Sequence, residues 1–207
     1  MHALILVDIQ NDFLPGGALA VPRGDEVVPV ANRLMGQFEL VVATQDWHPA
    51  DHRSFASQHP GRAVGDEIEL NGLPQTLWPD HCVQGSPGAE LAPKLDARRI
   101  AHVVRKGLDR EIDSYSGFFD NGRRKATGLD DYLKRRGAAD LTIIGLATDY
   151  CVKFTVLDAL RLGYRVTVDL AGVCGVELRA GDCERALAEL RAAGASIAPA
   201  DAPRSER

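Results

Sequence analysis

At 207 residues, 45% of them hydrophobic, the chain can bury one sizeable core and is slightly above the common domain size, so a single domain over residues 1–207 is expected. A net charge of −5 and a pI near 5.7, with acidic and basic residues interspersed, argue against nucleic acid or an anionic membrane as partner and favour a small ligand. Cys82, Cys151, Cys174 and Cys183 form no Cys-x-x-Cys pair and no structural-zinc spacing, which suits free thiols in a reducing compartment, the cytoplasm.

The run Ala3 to Asp8 lacks a basic flank and is too short for a signal peptide or a membrane span, so it reads as a first strand that ends in a carboxylate. Asp8 there is either a ligand-edge carboxylate or an Asp that caps a turn. The spacing of Val27, Val30, Leu34 and Phe38 predicts a helix over Asp25 to Phe38, and Leu40 to Thr44 predicts strand two. In the extended Gln45-Asp46-Trp47-His48-Pro49 that follows, Asp46 and His48 point to one side and can face one cation. The next ~50 residues show little periodicity, as a functional loop does. That loop holds Leu77-Trp78-Pro79-Asp80-His81-Cys82-Val83, and Asp46, His48 and His81 together make a two-histidine, one-carboxylate set that suits Zn(II), Fe(II) or Mn(II). Histidines that merely pack or face solvent are the alternative, and His2, His59 and His102 belong to that class; Cys82 reads as packing.

Strand three, Ile100 to Lys106, ends in a lysine that is either a solvated strand end or, given an anionic partner, functional. Ser114-Tyr115-Ser116-Gly117-Phe118-Phe119 is a small-residue loop whose aromatics can wall a flat substrate. Thr127 and Gly137 bracket a helix to Arg136 as caps. Asp140 to Ala147 is apolar on both faces, as a central parallel strand is, and Cys151 opens a predicted helix through Leu162. A cysteine at a strand-to-helix turn meets free backbone N–H groups and a positive helix end, which favour a thiolate; a buried packing cysteine is the competing reading. Strand five (Arg165 to Leu170) with its exit turn (Ala171 to Gly175), a helix near Ala180 to Ala193, a last strand (Ala195 to Ala200) and a frayed tail (Ala202 to Arg207) complete the chain.

This alternation predicts an α/β fold: three α/β/α layers around a six-stranded, mostly parallel sheet. Right-handed crossovers gather the C-terminal strand ends on one edge, so Asp8, Lys106 and the Cys151 turn converge there.

Four blocks carry a resemblance: Val7-Asp8-Ile9-Gln10-Asn11-Asp12-Phe13, Thr44-Gln45-Asp46-Trp47-His48-Pro49, Leu77 to Val83, and Gly145-Leu146-Ala147-Thr148-Asp149-Tyr150-Cys151-Val152, with Lys106-Gly107 and Asp113 to Phe118 between them in order. With these blocks the chain resembles the nicotinamidases of the isochorismatase-like cysteine hydrolase superfamily. The resemblance implies a catalytic triad of Asp8, Lys106 and Cys151, and one divalent metal at Asp46, His48 and His81, zinc first and iron or manganese next. It leaves His52 as either a further ligand or a histidine outside the coordination sphere, and implies a cis peptide before Ala147. The implied reaction turns nicotinamide and water into nicotinate and ammonia through a Cys151 thioester, for NAD salvage, with pyrazinamide as a second substrate. In that mechanism Lys106 and the helix dipole lower the Cys151 pKa, Asp8 moves the proton, and the N–H groups of Ala147 and Cys151 form the oxyanion hole. Phe13, Trp78 and Tyr115 sandwich the ring, Tyr150 lines its pocket, and the metal holds the ring nitrogen. A metal-independent isochorismatase-type hydrolase and a noncatalytic binding module with a redox-sensitive Cys151 are the rival readings, and monomer or homo-oligomer stays open.

Overall fold

His2–Val7, the first strand β1, is buried along all but its first residue, so its side chains must be covered on both faces. The structure, a computed structural model, describes residues 1–199 and meets that demand with three layers. After β1 come helix α1 (Val27–Met35), strand β2 (Leu40–Asp46), the short strands β3 (Glu67–Leu70) and β4 (Leu73–Thr76), and β5 (His102–Lys106). Then follow α2 (Leu129–Arg135), β6 (Asp140–Leu146), α3 (Lys153–Arg161), β7 (Arg165–Cys174), α4 (Asp182–Ala192) and β8 (Ser196–Ala198). Six strands pair in parallel in the order β5-β2-β1-β6-β7-β8. Ala3, Ile5 and Val7 enter a core closed by Leu129 and Leu133 of α2, Val156 of α3 and Leu190 of α4. The alternate residues Leu4 and Leu6 enter a second core under Val27, Ala31 and Leu34 of α1. The expected α/β/α architecture is therefore present. Among the described residues no helix is long and apolar enough to cross a membrane.

The chain leaves β1 toward β2 and β5 on one side, then crosses to β6, β7 and β8 on the other. The order reverses between β1 and β6, and the C-terminal ends of strands flanking such a reversal form a natural ligand crevice. Asp8 follows β1 directly, and the turn bearing Cys151 follows β6. Register sets a further pair, because Asp46 and Lys106 are partners across β2 and β5.

Several boundaries differ from expectation. Cys151 does not open an α-helix: Thr148–Val152 form one π-helical turn, and α3 starts at Lys153. The Ala147 carbonyl accepts from both Tyr150 and Val152, which makes that wider turn. β7 runs through the stretch expected to be an exit turn, since a register shift near Ile143 and Gly145 lets pairing resume at Val173 and Cys174. The supposedly unstructured loop contains the antiparallel β3–β4 pair, closed by Asn71 and Gly72, both at positive φ (52° and 79°). α1 and α4 are shorter than predicted, and β8 spans only Ser196–Ala198. Residue 200 and the expected frayed tail, Ala202 to Arg207, lie outside the described residues. The peptide bond Leu146–Ala147 is cis, as the resemblance implies.

Candidate active site and metal centre

Lys106 is the hub of the crevice. Its side chain is fully buried, and its Nζ lies 2.8 Å from Asp8 Oδ2. It also donates to Asp46 Oδ1 at 2.6 Å, to the Ser114 carbonyl at 2.8 Å and to Cys151 Sγ at 3.4 Å. Burial alone would drive this amine toward neutrality, but the two carboxylates outweigh it and keep its pKa well above the usual lysine value. Burial dominates at Asp8 and lifts its pKa to about 6 against the downward pull of Lys106. Asp8 Oδ1 accepts from the Thr44 hydroxyl at 2.6 Å, a contact with no signal in the sequence beyond a threonine near the end of strand two.

Cys151 departs from expectation in its resting state. Burial raises its pKa well above the ordinary thiol value; Lys106 opposes the rise, whereas Asp8 and Asp46 add to it. Lys106 therefore acts in the expected direction without winning, and Cys151 rests as a thiol. The sulfur, an Asp8 oxygen and an Asp46 oxygen lie within 4.8 Å of one another, so a proton has only a short path from Cys151 to Asp8.

The candidate metal ligands also converge. One donor atom each from Asp46, His48 and His81 falls within 4.8 Å of the others, and all three residues are buried. His48 Nδ1 donates to the Gly107 carbonyl at 3.0 Å and His81 Nδ1 to the Pro79 carbonyl at 2.8 Å, which fixes the tautomers and aims both Nε2 lone pairs inward. His48 Nε2 is buried with no hydrogen-bond partner among the described residues and faces Asp46 Oδ2 at 3.8 Å, an arrangement that a cation between them would satisfy. Burial, helped by His48, lowers the His81 pKa to about 4, so it offers a neutral ligand. The residues present thus fit a divalent cation. Gly107, at φ 66°, admits this arrangement: a Cβ there would stand 2.3 Å from His48 Cε1. His52 is buried, not solvent-facing, and its Nε2 is a second buried nitrogen with no hydrogen-bond partner among the described residues, so a role as a further ligand stays open. Its donor atom groups with His48 and Asp113, and its Nδ1 pairs with Ser54 Oγ at 2.7 Å.

Two clamps went unread in the sequence. Gln10 donates to the Asp46 and Ala89 carbonyls and accepts from the Asp46 N–H, each at 2.8 Å, and so fixes the backbone of a candidate ligand. Gln75, on the unforeseen β4, donates to Asp113 at 3.2 Å and to the Tyr115 hydroxyl at 3.1 Å.

A cleft joins the two groups. Cys151 and Ala147 lie along it with Asp46 and His81, and the expected aromatics Phe13, Trp78, Tyr115 and Tyr150 supply walls together with Leu19 and Val176. Trp78 Nε1 donates to the Tyr115 hydroxyl at 3.0 Å, and the Trp78 and Tyr150 rings meet edge to face at 4.9 Å. The arrangement can hold a flat molecule between a nucleophile and a cation.

The isochorismatase domain model matches residues 2–202. The chain belongs to the isochorismatase family. Within it, the chain is 57% identical over 200 residues to a nicotinamidase of Escherichia coli K12, covering 95% of this chain and 93% of that protein. The structure of an Acinetobacter baumanii nicotinamidase and pyrazinamidase superposes with a TM-score of 0.93 at 43% identity, covering 96% of each chain. A pyrazinamidase from Pyrococcus horikoshii, solved in complex with zinc, superposes with a TM-score of 0.79 at 38% identity over 96% of this chain and 98% of that one.

Proposed function

We propose that this single-domain isochorismatase-family chain, residues 1–207, is a cytoplasmic amidohydrolase that converts nicotinamide and water into nicotinate and ammonia, with pyrazinamide as a second substrate and NAD salvage as its role. The observation that carries the reading is the junction at Lys106: a buried acid, amine and thiol meet one carboxylate of a two-histidine cation set inside a flat, aromatic-walled cleft. Fifty-seven percent identity to an E. coli nicotinamidase supports the choice of amide.

Asp8 takes the thiol proton as the Cys151 sulfur attacks the carboxamide carbon, and a raised acid pKa near 6 makes that carboxylate a competent base at neutral pH. Lys106, held cationic by Asp8 and Asp46, stabilises the thiolate as it forms. N–H groups of Ala147 and Cys151 face the developing oxyanion, a contribution of roughly 3 kcal/mol per donor in other hydrolases. Asp8 then returns the proton to the leaving nitrogen, ammonia departs, and a thioester remains. Water attacks the thioester carbon while Asp8 takes its proton; the C–S bond breaks, nicotinate leaves, and the proton restores the thiol. Phe13, Trp78, Tyr115 and Tyr150 orient the ring and exclude water from it. Asp46, His48 and His81 would hold a divalent cation, zinc first and iron or manganese next, which would anchor the ring nitrogen when bound.

Ammonia release from nicotinamide by purified protein, measured before and after chelation, tests the whole assignment. Release that chelation suppresses and zinc restores is expected. Absence of release from a verified metal-loaded sample refutes the amidase reading, and activity that survives complete metal removal refutes the anchoring cation.

A further inference from the structure

The strap that follows β7 reaches the cleft with Val176, and three separate elements hold it. Val176 lines the cleft and packs on the α1-side core. Its backbone N–H donates to Asp149 Oδ1 at 3.0 Å, and the next N–H, of Glu177, donates to Asp149 Oδ2 at 2.8 Å. Asp149 is 5% exposed and precedes the nucleophile by two residues, so one carboxylate ties the strap to the catalytic turn. From the other side, the Glu177 carboxylate accepts from Gly181 and Cys183 at the start of α4, at 3.0 and 2.8 Å. Glu177 itself adopts φ 54°, a left-handed conformation that a non-glycine residue keeps only under such restraint. Gly175 is required where Cys183 crowds it: a Cβ there would lie 1.9 Å from Cys183 Sγ and 3.0 Å from Asp149 Oδ1.

We propose that Val176 is a specificity-determining wall of the substrate cleft and that Asp149 is the positioning residue that holds it there. This rests on the amidase reading of the cleft. Val176 lines the cleft together with Phe13 and Leu19, its neighbours in one apolar cluster, as do the polar Asp46, His81 and Asp113 and the reactive Cys151. A branched side chain on a backbone pinned at two consecutive N–H groups cannot retreat from a larger ring, so the strap sets the ring size admitted. The Asp149 carboxylate can accept both bonds; an amide in its place offers one oxygen and turns an NH₂ toward the other donor.

The test compares kcat/KM for nicotinamide with that for a set of singly methylated nicotinamides. Val176→Ala is expected to shift that ratio by roughly 10-fold or more toward at least one methylated amide, the range one methyl group commands in an apolar pocket. Val176→Leu should raise the KM for nicotinamide more than it lowers kcat. Asp149→Asn should shift selectivity in the same direction as Val176→Ala and speed hydrogen exchange at the Val176 and Glu177 amides, which a general loss of stability would not confine to those two positions. Wild-type selectivity in both Val176 variants overturns the wall, and unprotected Val176 and Glu177 amides in the wild-type protein overturn the Asp149 tether. Should wild-type protein release no ammonia from nicotinamide, the amidase reading falls instead, and calorimetric binding of nicotinate and its methylated analogues to the same variants still decides the wall.

Discussion

Replacing Lys106 by methionine removes the cation that Asp8, Asp46, the Ser114 carbonyl and Cys151 share, while nearly preserving side-chain length. Asp8 and Asp46 then remain buried with like charges close together, and the Ser114 carbonyl loses its donor. Breaking a buried pair by deleting one partner costs about 3–5 kcal/mol. For a chain of 207 residues that is a fall of roughly 6–20 °C in Tm. The loss must also depend on pH. The folded pKa of Asp8, about 6, already exceeds its ordinary value of 3.8, so the group favours the folded state at low pH and that favour is lost as pH rises through 6. Without Lys106 the folded pKa climbs further, and the variant loses an additional ~1.4 kcal/mol per pH unit, relative to wild type, from pH 6 up to its new pKa. Urea denaturation of both proteins at pH 5 and pH 8 measures this directly. A destabilisation that is under ~1 kcal/mol at pH 8, or as large at pH 5 as at pH 8, refutes the electrostatic account of this junction.

Cys151→Ala should reduce turnover of nicotinamide below detection while metal content and nicotinate affinity, read by elemental analysis and calorimetry, stay near wild type. Gly107→Ala places a Cβ against the His48 ring and should weaken metal binding roughly 10–100-fold, the usual cost of disturbing a ligand's support, as read by competition with a chromogenic chelator. The acid limb of kcat/KM should have an apparent pKa near 6 as Asp8 ionises to become the base, activity falling below it; a limb near 4 would assign the proton transfer to another group.

Much of the site was legible because its groups stand at strand ends or at fixed spacing: Asp8, Lys106 and Cys151 by topology, Asp46 and His48 by the two-residue period of an extended segment. Thr44, Gln10 and Gln75 were not, since each is an ordinary polar residue until folding brings it to a partner more than thirty positions away. The β3–β4 hairpin did carry a signal in Asn71-Gly72, a preferred two-residue turn, but its strands are only four residues each and Pro74 interrupts the second. β7 was cut short for a comparable reason: Gly172 reads as a turn, yet it serves there as a close-approach point, with a Cβ predicted to lie 2.7 Å from Ile144 Cγ2.

Asp46 joins two halves of the site that the sequence presents separately. Its Oδ1 belongs to Lys106 at 2.6 Å, while its Oδ2 faces His48 Nε2 at 3.8 Å. Burial would raise its pKa, but Lys106 first and then His48 hold it well below the carboxylate range, so the carboxylate stays charged for a cation to use. A cation at Oδ2 would draw electron density from the same group that helps keep Lys106 charged and raises the Cys151 pKa. Neutralising Asp46 from the metal side therefore leaves Lys106 freer to stabilise a thiolate. In the proposed mechanism the cation set and the triad share one carboxylate, so filling the first would favour ionisation in the second.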